Sequence, residues 1–330
     1  MADPAQMSLF MQLKSREISR LREALLAWYD KCYRDLPWRG TRDPYRIWVS
    51  EIMLQQTRVA AVLLHYEKFL RRFPTVRKLA DARESAVLAE WSGLGYYRRA
   101  RNLHAAAKII ARQCRGTFPQ TAEPWRELPG IGRYTAAAIA SIAFNQPVAV
   151  LDGNVERVLH RLLGGRRQKA TLWSAAEGLL DRLRPGDFNQ AMMELGATVC
   201  LPAEPRCSNC PIRTFCRTRG QGGTKNRKLG RHKREVAYSL ARRSGSVLLV
   251  QRSKNHRLMP GMWELPEVVR GPGEKRLFSL KHSITVTDFT VHVVNDPPGQ
   301  DGKWIQTSRL STLPLTGLTR KILRRAEIIQ

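Results

Sequence analysis

The chain has 330 residues, 43% of them hydrophobic, enough to bury the cores of two ordinary domains and too apolar for a disordered segment. Its 56 Lys and Arg against 28 Asp and Glu leave a formal charge of +28, far beyond what solubility needs, which points to a polyanionic partner and foremost to nucleic acid. No run of eighteen apolar residues occurs, and MADPAQMSLF lacks the basic-then-apolar pattern of a secretory leader, so neither a membrane span nor secretion is expected.

From about Ser15 to Cys216 the apolar spacing is helical, as in LREALLAWYDKCY, YRIWVSEIMLQQ, AAVLLHYEKFLRRF, ESAVLAEWSGL and ARNLHAAAKIIARQ, with proline and glycine between segments. In DPYRIWVSEIMLQQT, Asp43 is placed to cap a helix and Pro44 to open it. Glu51 then stands among Trp48, Val49, Ile52, Met53 and Leu54. It is either a glutamate on a solvent face or a desolvated carboxyl whose pKa is raised, able to hold and donate a proton near neutrality. Gln55 shares its face at i+4, and Gln56 and Thr57 follow, a group of hydrogen-bonding side chains suited to base edges.

WSGLGYYRRARNLHAAAKII pairs two tyrosines with glycines and then arginines. Tyr96 or Tyr97 is suited to wedge into a base stack while the arginines hold phosphates, or both rings are core; Gly93 and Gly95 favour an exposed turn. ELPGIGRYTAAAIA reads as the turn and second helix of a helix-hairpin-helix over about 122–142. Gly130 and Gly132 would let the backbone turn tightly and bring its N–H groups and the positive helix end against a phosphate, while the alanines allow close packing. In VAVLDGNVERVLHR, Asp152 is a helix cap, and a carboxylate so placed would be held ionised by N–H donors and the helix dipole. A protonated Glu51 and an ionised Asp152 would suit cleavage of a glycosidic bond.

Cys200, Cys207, Cys210 and Cys216 are spaced C-x6-C-x2-C-x5-C, a set that can hold tetrahedral zinc or an iron–sulfur cube, with Arg206, Arg213, Arg217 and Arg219 in or beside the loop. Arg217 to Arg234 carries eight Lys or Arg, four glycines and no acid, and reads as a basic linker. Beyond it the period changes: VAYSLARRSGSVLLVQR has two apolar runs around a Ser-Gly turn and HSITVTDFTVHVV alternates. Strands are therefore expected from Val236 to about Trp304, then a last helix in LTRKILRRAEII. The expected architecture is an all-α domain over 1–216, a linker over 217–234 and a small α+β domain over 235–330.

Taken in order, LPWR, SEIMLQQT, GLGYYRRARNLH, LPGIGRYTA, LDGNVERVLHR, FNQAMMELGA and the cysteine loop resemble the MutY-type adenine DNA glycosylases of the helix-hairpin-helix superfamily, over roughly Leu36 to Cys216. The resemblance implies a [4Fe-4S] cluster on Cys200, Cys207, Cys210 and Cys216, and removal of adenine mispaired with 8-oxoguanine or guanine. By residue, Glu51 matches the acid that protonates adenine N7 and later manages the attacking water. Asp152 matches the carboxylate that stabilises the sugar cation, and Asn154 its neighbour in the pocket. Gln55, Gln56 and Thr57 match the loop at the lesion and flipped adenine, and Tyr96 the aromatic beside 8-oxoguanine. Trp38, Arg39 and Glu194 match pocket positions.

Endonuclease III-type relatives carry a lysine where this chain has Tyr134, and tyrosine offers no amine for a Schiff base, so a monofunctional enzyme is implied. A bifunctional glycosylase/lyase and a catalytically silent mismatch-binding protein are the alternatives. LVQR and LMPGMWELPEV resemble the NUDIX-like domain of the same family, without the glutamate-rich box of NUDIX hydrolases. Where relatives carry an aromatic-Ser/Thr-His loop against 8-oxoguanine, this chain has Ile284-Thr285-Val286, with His282 nearby. A monomer acting on double-stranded DNA with adenine mispairs, cytoplasmic, nucleoid-associated and of bacterial type, is the resulting expectation.

Overall fold

The computed structural model describes residues 15–219, 230–253, 255–256, 258–269, 276–284, 286–295 and 302–329. The MADPAQMSLF stretch, most of the basic linker and Thr285 lie outside the described residues. The helices run in order α1 (Ser15–Cys32), α2 (Pro44–Leu54), α3 (Val59–Arg72), α4 (Val76–Asp81), α5 (Glu84–Trp91), α6 (Arg98–Arg112), α7 (Ala122–Arg126), α8 (Arg133–Phe144), α9 (Gly153–Leu162), α10 (Lys169–Leu179) and α11 (Pro185–Thr198). Two short 3-10 turns, Cys207–Asn209 and Arg213–Phe215, follow in the cysteine loop. The strands are β1 (His232–Ser239), β2 (Arg242–Arg243), β3 (Ser246–Gln251), β4 (Trp263–Glu264), β5 (Glu267–Val268), β6 (Arg276–Ile284), β7 (Thr287–Val294) and β8 (Lys303–Gln306), and helix α12 (Gly317–Arg325) comes last. No helix of the described residues is long and apolar enough to cross a membrane.

Backbone packing divides the chain into two compact units, one formed by the residues up to Gln56 with those from Ile109 to Arg227, the other by Thr57–Lys108 with the residues from Lys228 onward. In the first unit α2 begins as its sequence dictates: Asp43 accepts from the Tyr45 and Arg46 amides, and Pro44 opens the helix. Every residue from Ile47 to Met53 is buried. A helix covered all round belongs inside a core. It packs on α8, whose alanine-rich body from Thr135 to Ser141 is buried. Helix α8 ends at Asn145, whose left-handed backbone (φ 57°) closes the cap.

Helix α11 lies against α1, α8 and α9, and two glycines set how closely. A Cβ on Gly186 would stand 2.7 Å from the Ser141 carbonyl oxygen, and one on Gly196 would stand 2.6 Å from Asn154 Cβ. The second contact seats the start of α9, and with it Asp152. Leu25, Val158, Leu159, Phe188 and Leu195, with Leu172 of α10, belong to the core these helices share.

In the second unit one sheet has the order β5-β1-β7-β6, with β1 parallel to β7 and the other pairs antiparallel. The other sheet runs β2-β3-β4 with β8 also on β3. The Ser-Gly turn falls where expected: Ser244 (φ 46°) and Gly245 (φ 71°) join β2 to β3. Val291, Val293, Leu280 and Tyr238 form a core with Ile322 and Leu323 of α12. His282 lies within β6, opposite Phe289, and burial with the nearby Lys321 ammonium lowers its pKa. A helical fold up to Thr198 and a C-terminal α+β region thus follow the sequence reading of element types, with β1 starting at His232, while the compact units group Thr57–Lys108 with the C-terminal residues.

Alanine for glycine inside a helix ordinarily stabilises by up to about 1 kcal/mol. At Gly196 the sign should reverse, since the new methyl has backbone and Cβ of Asn154 in its place, and overpacking of this kind costs about 1–3 kcal/mol. Thermal unfolding of Gly196→Ala should show a lower Tm than the parent; an unchanged or higher Tm would mean the α9–α11 crossing is not set by this contact.

Candidate active site and metal loop

Glu51 projects from the middle of α2 and is 7% exposed. Tyr134, in the first turn of α8, donates its hydroxyl to Glu51 Oε2 at 2.9 Å, and the Tyr134 hydroxyl oxygen lies 3.1 Å from Met193 Sδ. Burial pushes the Glu51 carboxyl up to about 7; the Tyr134 hydrogen bond opposes this, the charge of Asp152 adds to it, and Arg39 opposes it again. The buried reading of Glu51 therefore holds. Tyr134 is itself raised well above 10.0, by burial first and then by the charge of Glu51, so its oxygen keeps its proton.

Asp152 caps α9, its Oδ1 accepting from the amides of Asn154 (2.9 Å) and Val155 (2.7 Å) and its Oδ2 from Asn154 Nδ2 (2.9 Å). The donors match the sequence expectation, but the direction of the pKa does not. Burial outweighs them and holds Asp152 above its ordinary value, where capping alone implied a lowered one. Asn154 Oδ1 accepts from Arg157 Nη2 (2.9 Å), and Arg157 also donates to the carbonyls of Gly196 (2.6 Å) and Cys200 (2.8 Å). One guanidinium thus joins the aspartate's partner to the start of the cysteine loop.

Trp38 is buried, and Arg39 lies over the Tyr29 ring, donating to its hydroxyl at 2.9 Å. Glu194 is fully buried, and its two oxygens accept from Arg39 Nη2 (2.7 Å), Arg34 Nε (2.6 Å) and Arg34 Nη2 (2.9 Å). Burial pushes its carboxyl up, yet the two guanidiniums win and hold it below its ordinary value. Gln55 donates to Thr135 Oγ1 at 3.2 Å, and Gln56 is exposed with a left-handed backbone, φ 55°.

The hairpin runs from α7 to α8 across Gly130, which is left-handed at φ 78°. Gly132 differs from expectation: its backbone is extended and accessible to any residue, but open space surrounds the place a Cβ would take. Its lack of a side chain leaves the start of α8 approachable and does not serve the turn itself.

In the second unit, Tyr96 is 47% exposed with φ 48°, whereas Tyr97 is 3% exposed. The exposed-turn and core readings of this pair are both right, one for each ring. A non-glycine residue in this region costs about 1–2 kcal/mol. Thr57 Oγ1 accepts from Arg99 Nη2 at 2.9 Å.

Cys200, Cys207, Cys210 and Cys216 line one pocket with Val158, Leu162, Leu195, Val199 and Ile212. Among the described residues, no three His, Cys, Asp or Glu side chains converge as on a single metal ion. Burial raises the Cys210 thiol to about 11. Buried Arg161 braces the loop through the carbonyls of Leu201 (2.6 Å) and Pro202 (2.7 Å) and reaches Cys200 Sγ at 3.3 Å. Arg206, Arg213, Arg217 and Arg219 are all exposed.

Sequence reasoning missed Arg34, Arg157, Arg161 and Met193, and it grouped Arg99 with the arginines suited to phosphate, whereas Arg99 is buried and donates to Thr57 and two carbonyls. Arg157 was findable: it sits three residues after Asn154 on one helix face. Arg34 lies in a loop with no period to mark it, and Met193 is one apolar residue among many.

The profile of the HhH-GPD superfamily of base excision DNA repair proteins matches residues 49–177. The chain is 49% identical over 218 residues to a human protein named adenine DNA glycosylase, covering 62% of this chain and 40% of that one. It is 40% identical over 322 residues to the mouse protein of that name, covering 78% of this chain and 62% of that one. It therefore spans about two fifths to three fifths of these relatives' length. A solved thermostable thymine-DNA glycosylase superposes with a TM-score of 0.59 at 29% identity, over 63% of this chain and 98% of that one. Residues 49–177 thus belong to the HhH-GPD superfamily of base excision DNA repair proteins, in a chain similar along most of its length to adenine DNA glycosylases.

Proposed function

We propose that this chain removes adenine mispaired with 8-oxoguanine or guanine from duplex DNA, by hydrolysis and without cutting the strand. The observation that carries the proposal is the buried Glu51, held at about 7 and bonded to a tyrosine hydroxyl, within the electrostatic reach of Asp152, which caps α9. The curated name of the human and mouse relatives supports the choice of base.

A base inside a duplex is out of reach, so the adenine must flip out, at a cost of a few kcal/mol in lost stacking. Exposed Tyr96 offers an aromatic wedge to offset that cost, and the +28 charge supplies phosphate contacts. Glu51, protonated on the oxygen not engaged by Tyr134, gives its proton to adenine N7. The C1′–N9 bond then breaks with its electrons going to the base, leaving an oxocarbenium-like sugar. Asp152 stabilises that cation in its ionised form, kept in orientation by Asn154 and the α9 amides. Glu51, now a carboxylate, takes a proton from the water that attacks C1′. Tyr134 orients Glu51 throughout and has no amine with which to form a Schiff base.

For the cysteine loop we propose a [4Fe-4S] cluster on Cys200, Cys207, Cys210 and Cys216; four thiols around one mostly apolar pocket, with Arg161 beside them, fit it. Such a cluster would fix the loop fold and so present the exposed arginines to phosphate; base release does not run through it. For the C-terminal region, a NUDIX-like part in reading the base opposite the adenine remains our proposal, as does monomeric action on DNA.

Single-turnover assays on duplexes with adenine opposite 8-oxoguanine, guanine and thymine should show base release from the first two. Glu51→Gln should slow it by about 10²–10⁴-fold while leaving duplex affinity in place. Borohydride should trap no protein–DNA adduct. Absence of release from both mispairs would sink the reading, and an efficient adduct would move it to a bifunctional lyase.

The pH profile gives a second test. Only protonated Glu51 donates, so release should fall as pH rises through about 7. The Tyr134 hydroxyl favours the ionised carboxylate, so Tyr134→Phe should move that alkaline limb to higher pH. A limb that stays in place or moves down would show that Glu51 is not the titrating acid.

A further inference from the structure

The turn that carries Tyr96 is built from unfavourable backbone. Gly93 (φ 113°), Gly95 (φ 71°) and Tyr96 (φ 48°) are all left-handed within four residues. Only the tyrosine among them resists that conformation, so other contacts must hold it there.

Those contacts converge on Arg99. Its side chain is buried, and Nη2 lies 2.9 Å from Thr57 Oγ1, 3.2 Å from the Gly95 carbonyl and 3.3 Å from the Leu94 carbonyl. The guanidinium carbon stands 5.4 Å from the Tyr96 ring centroid and 5.5 Å from that of Trp91. The Trp91 indole N–H donates to the same Gly95 carbonyl at 3.2 Å, and the Arg99 amide donates to the Tyr96 carbonyl at 2.9 Å. On either side of Tyr96 the turn is pinned independently: the Leu315 carbonyl accepts from Ser92 Oγ at 2.7 Å and from the Tyr97 hydroxyl at 3.2 Å. With Ser92 and Tyr97 fixed, the remaining freedom lies at Gly95–Tyr96, and Arg99 spans it.

We infer that Arg99 is a positioning residue: its one buried guanidinium ties Thr57 to the Leu94–Tyr96 turn and holds Tyr96 outward in its left-handed conformation, ready before DNA arrives. A lysine keeps the charge but has no planar guanidinium to lie over the Trp91 and Tyr96 rings while one nitrogen meets the Thr57 hydroxyl and two carbonyls. The inference deepens the proposed function, and its DNA arm rests on the reading of Tyr96 as a DNA contact.

The test uses the full chain with two variants, Arg99→Lys and Arg99→Gln, and two readouts. The first, hydrogen exchange in the free protein, is independent of any activity. Both variants should exchange the Leu94–Tyr97 amides about tenfold faster or more, as expected when charge-assisted bonds to the turn are lost, with the α8 amides unchanged. The second is affinity for a duplex holding adenine opposite 8-oxoguanine, measured for Arg99→Gln, Tyr96→Ala and the double variant. Arg99→Gln should weaken binding alone and add nothing to Tyr96→Ala. Unchanged exchange in the turn overturns the inference whatever DNA binding does, and so do losses that multiply in the double variant. If Tyr96→Ala leaves binding intact, the DNA role of Tyr96 fails, and the exchange result still decides whether Arg99 positions the turn.

Discussion

The chemistry proposed for this molecule depends on the desolvation of one carboxyl. Helix α2 is covered along the whole of its middle, and Glu51 is the only acidic side chain it brings inside. Burying a carboxylate without a cation is costly, and the group answers by holding its proton. The Tyr134 hydroxyl is a weak enough partner to orient Glu51 without ionising it fully. Contrast Glu194, also buried, which two guanidiniums keep charged. Two glutamates in one unit are shifted in opposite directions, down where two guanidiniums bond directly and up where the direct partner is a tyrosine.

The rest of the first unit serves to hold that arrangement at fixed distance. Gly196 lets α11 touch α9 at Asn154, and Arg157 binds Asn154, Gly196 and the Cys200 carbonyl at once. Asp152 therefore rests on three elements: the amides of its own helix, α11, and the first residue of the cysteine loop. The cysteine loop, placed so far along the chain, is thus tied to the cap through the Arg157 guanidinium and the Cys200 carbonyl. Arg161 repeats the device one turn later at Leu201 and Pro202.

Much of this could be read before the fold. Periodicity marked the helices, Asp43-Pro44 fixed the start of α2, and the change to alternation marked the strands. Glu51 was left between two readings because a helix apolar on every side shows no face, so its surroundings, α8 above all, had to decide. The Asp152 donors were legible from Asp-Gly-Asn, but burial is a sum over distant residues and reversed the direction they implied. Gly130 and Gly132 looked equivalent in sequence, and only backbone geometry separates the one that turns from the one that leaves room. The arginines that brace the site escaped notice because their acceptors are mostly carbonyls, which every residue carries and no pattern reveals.

Gln56 and Tyr96 are two non-glycine residues with left-handed backbones, both exposed. A protein folding only for stability would place glycine or asparagine there. Neither glycine nor asparagine can present an aromatic ring, however, and a residue that does so at Tyr96 has to bear the strain in the free state. Such strain persists only where neighbouring bonds overdetermine it, as the Arg99, Trp91 and Leu315 contacts do around Tyr96. A side chain fixed outward in this way loses little entropy on contact with DNA. On the proposal that Tyr96 contacts DNA, the strain is part of recognition, because the turn has already adopted the shape that binding would otherwise have to impose.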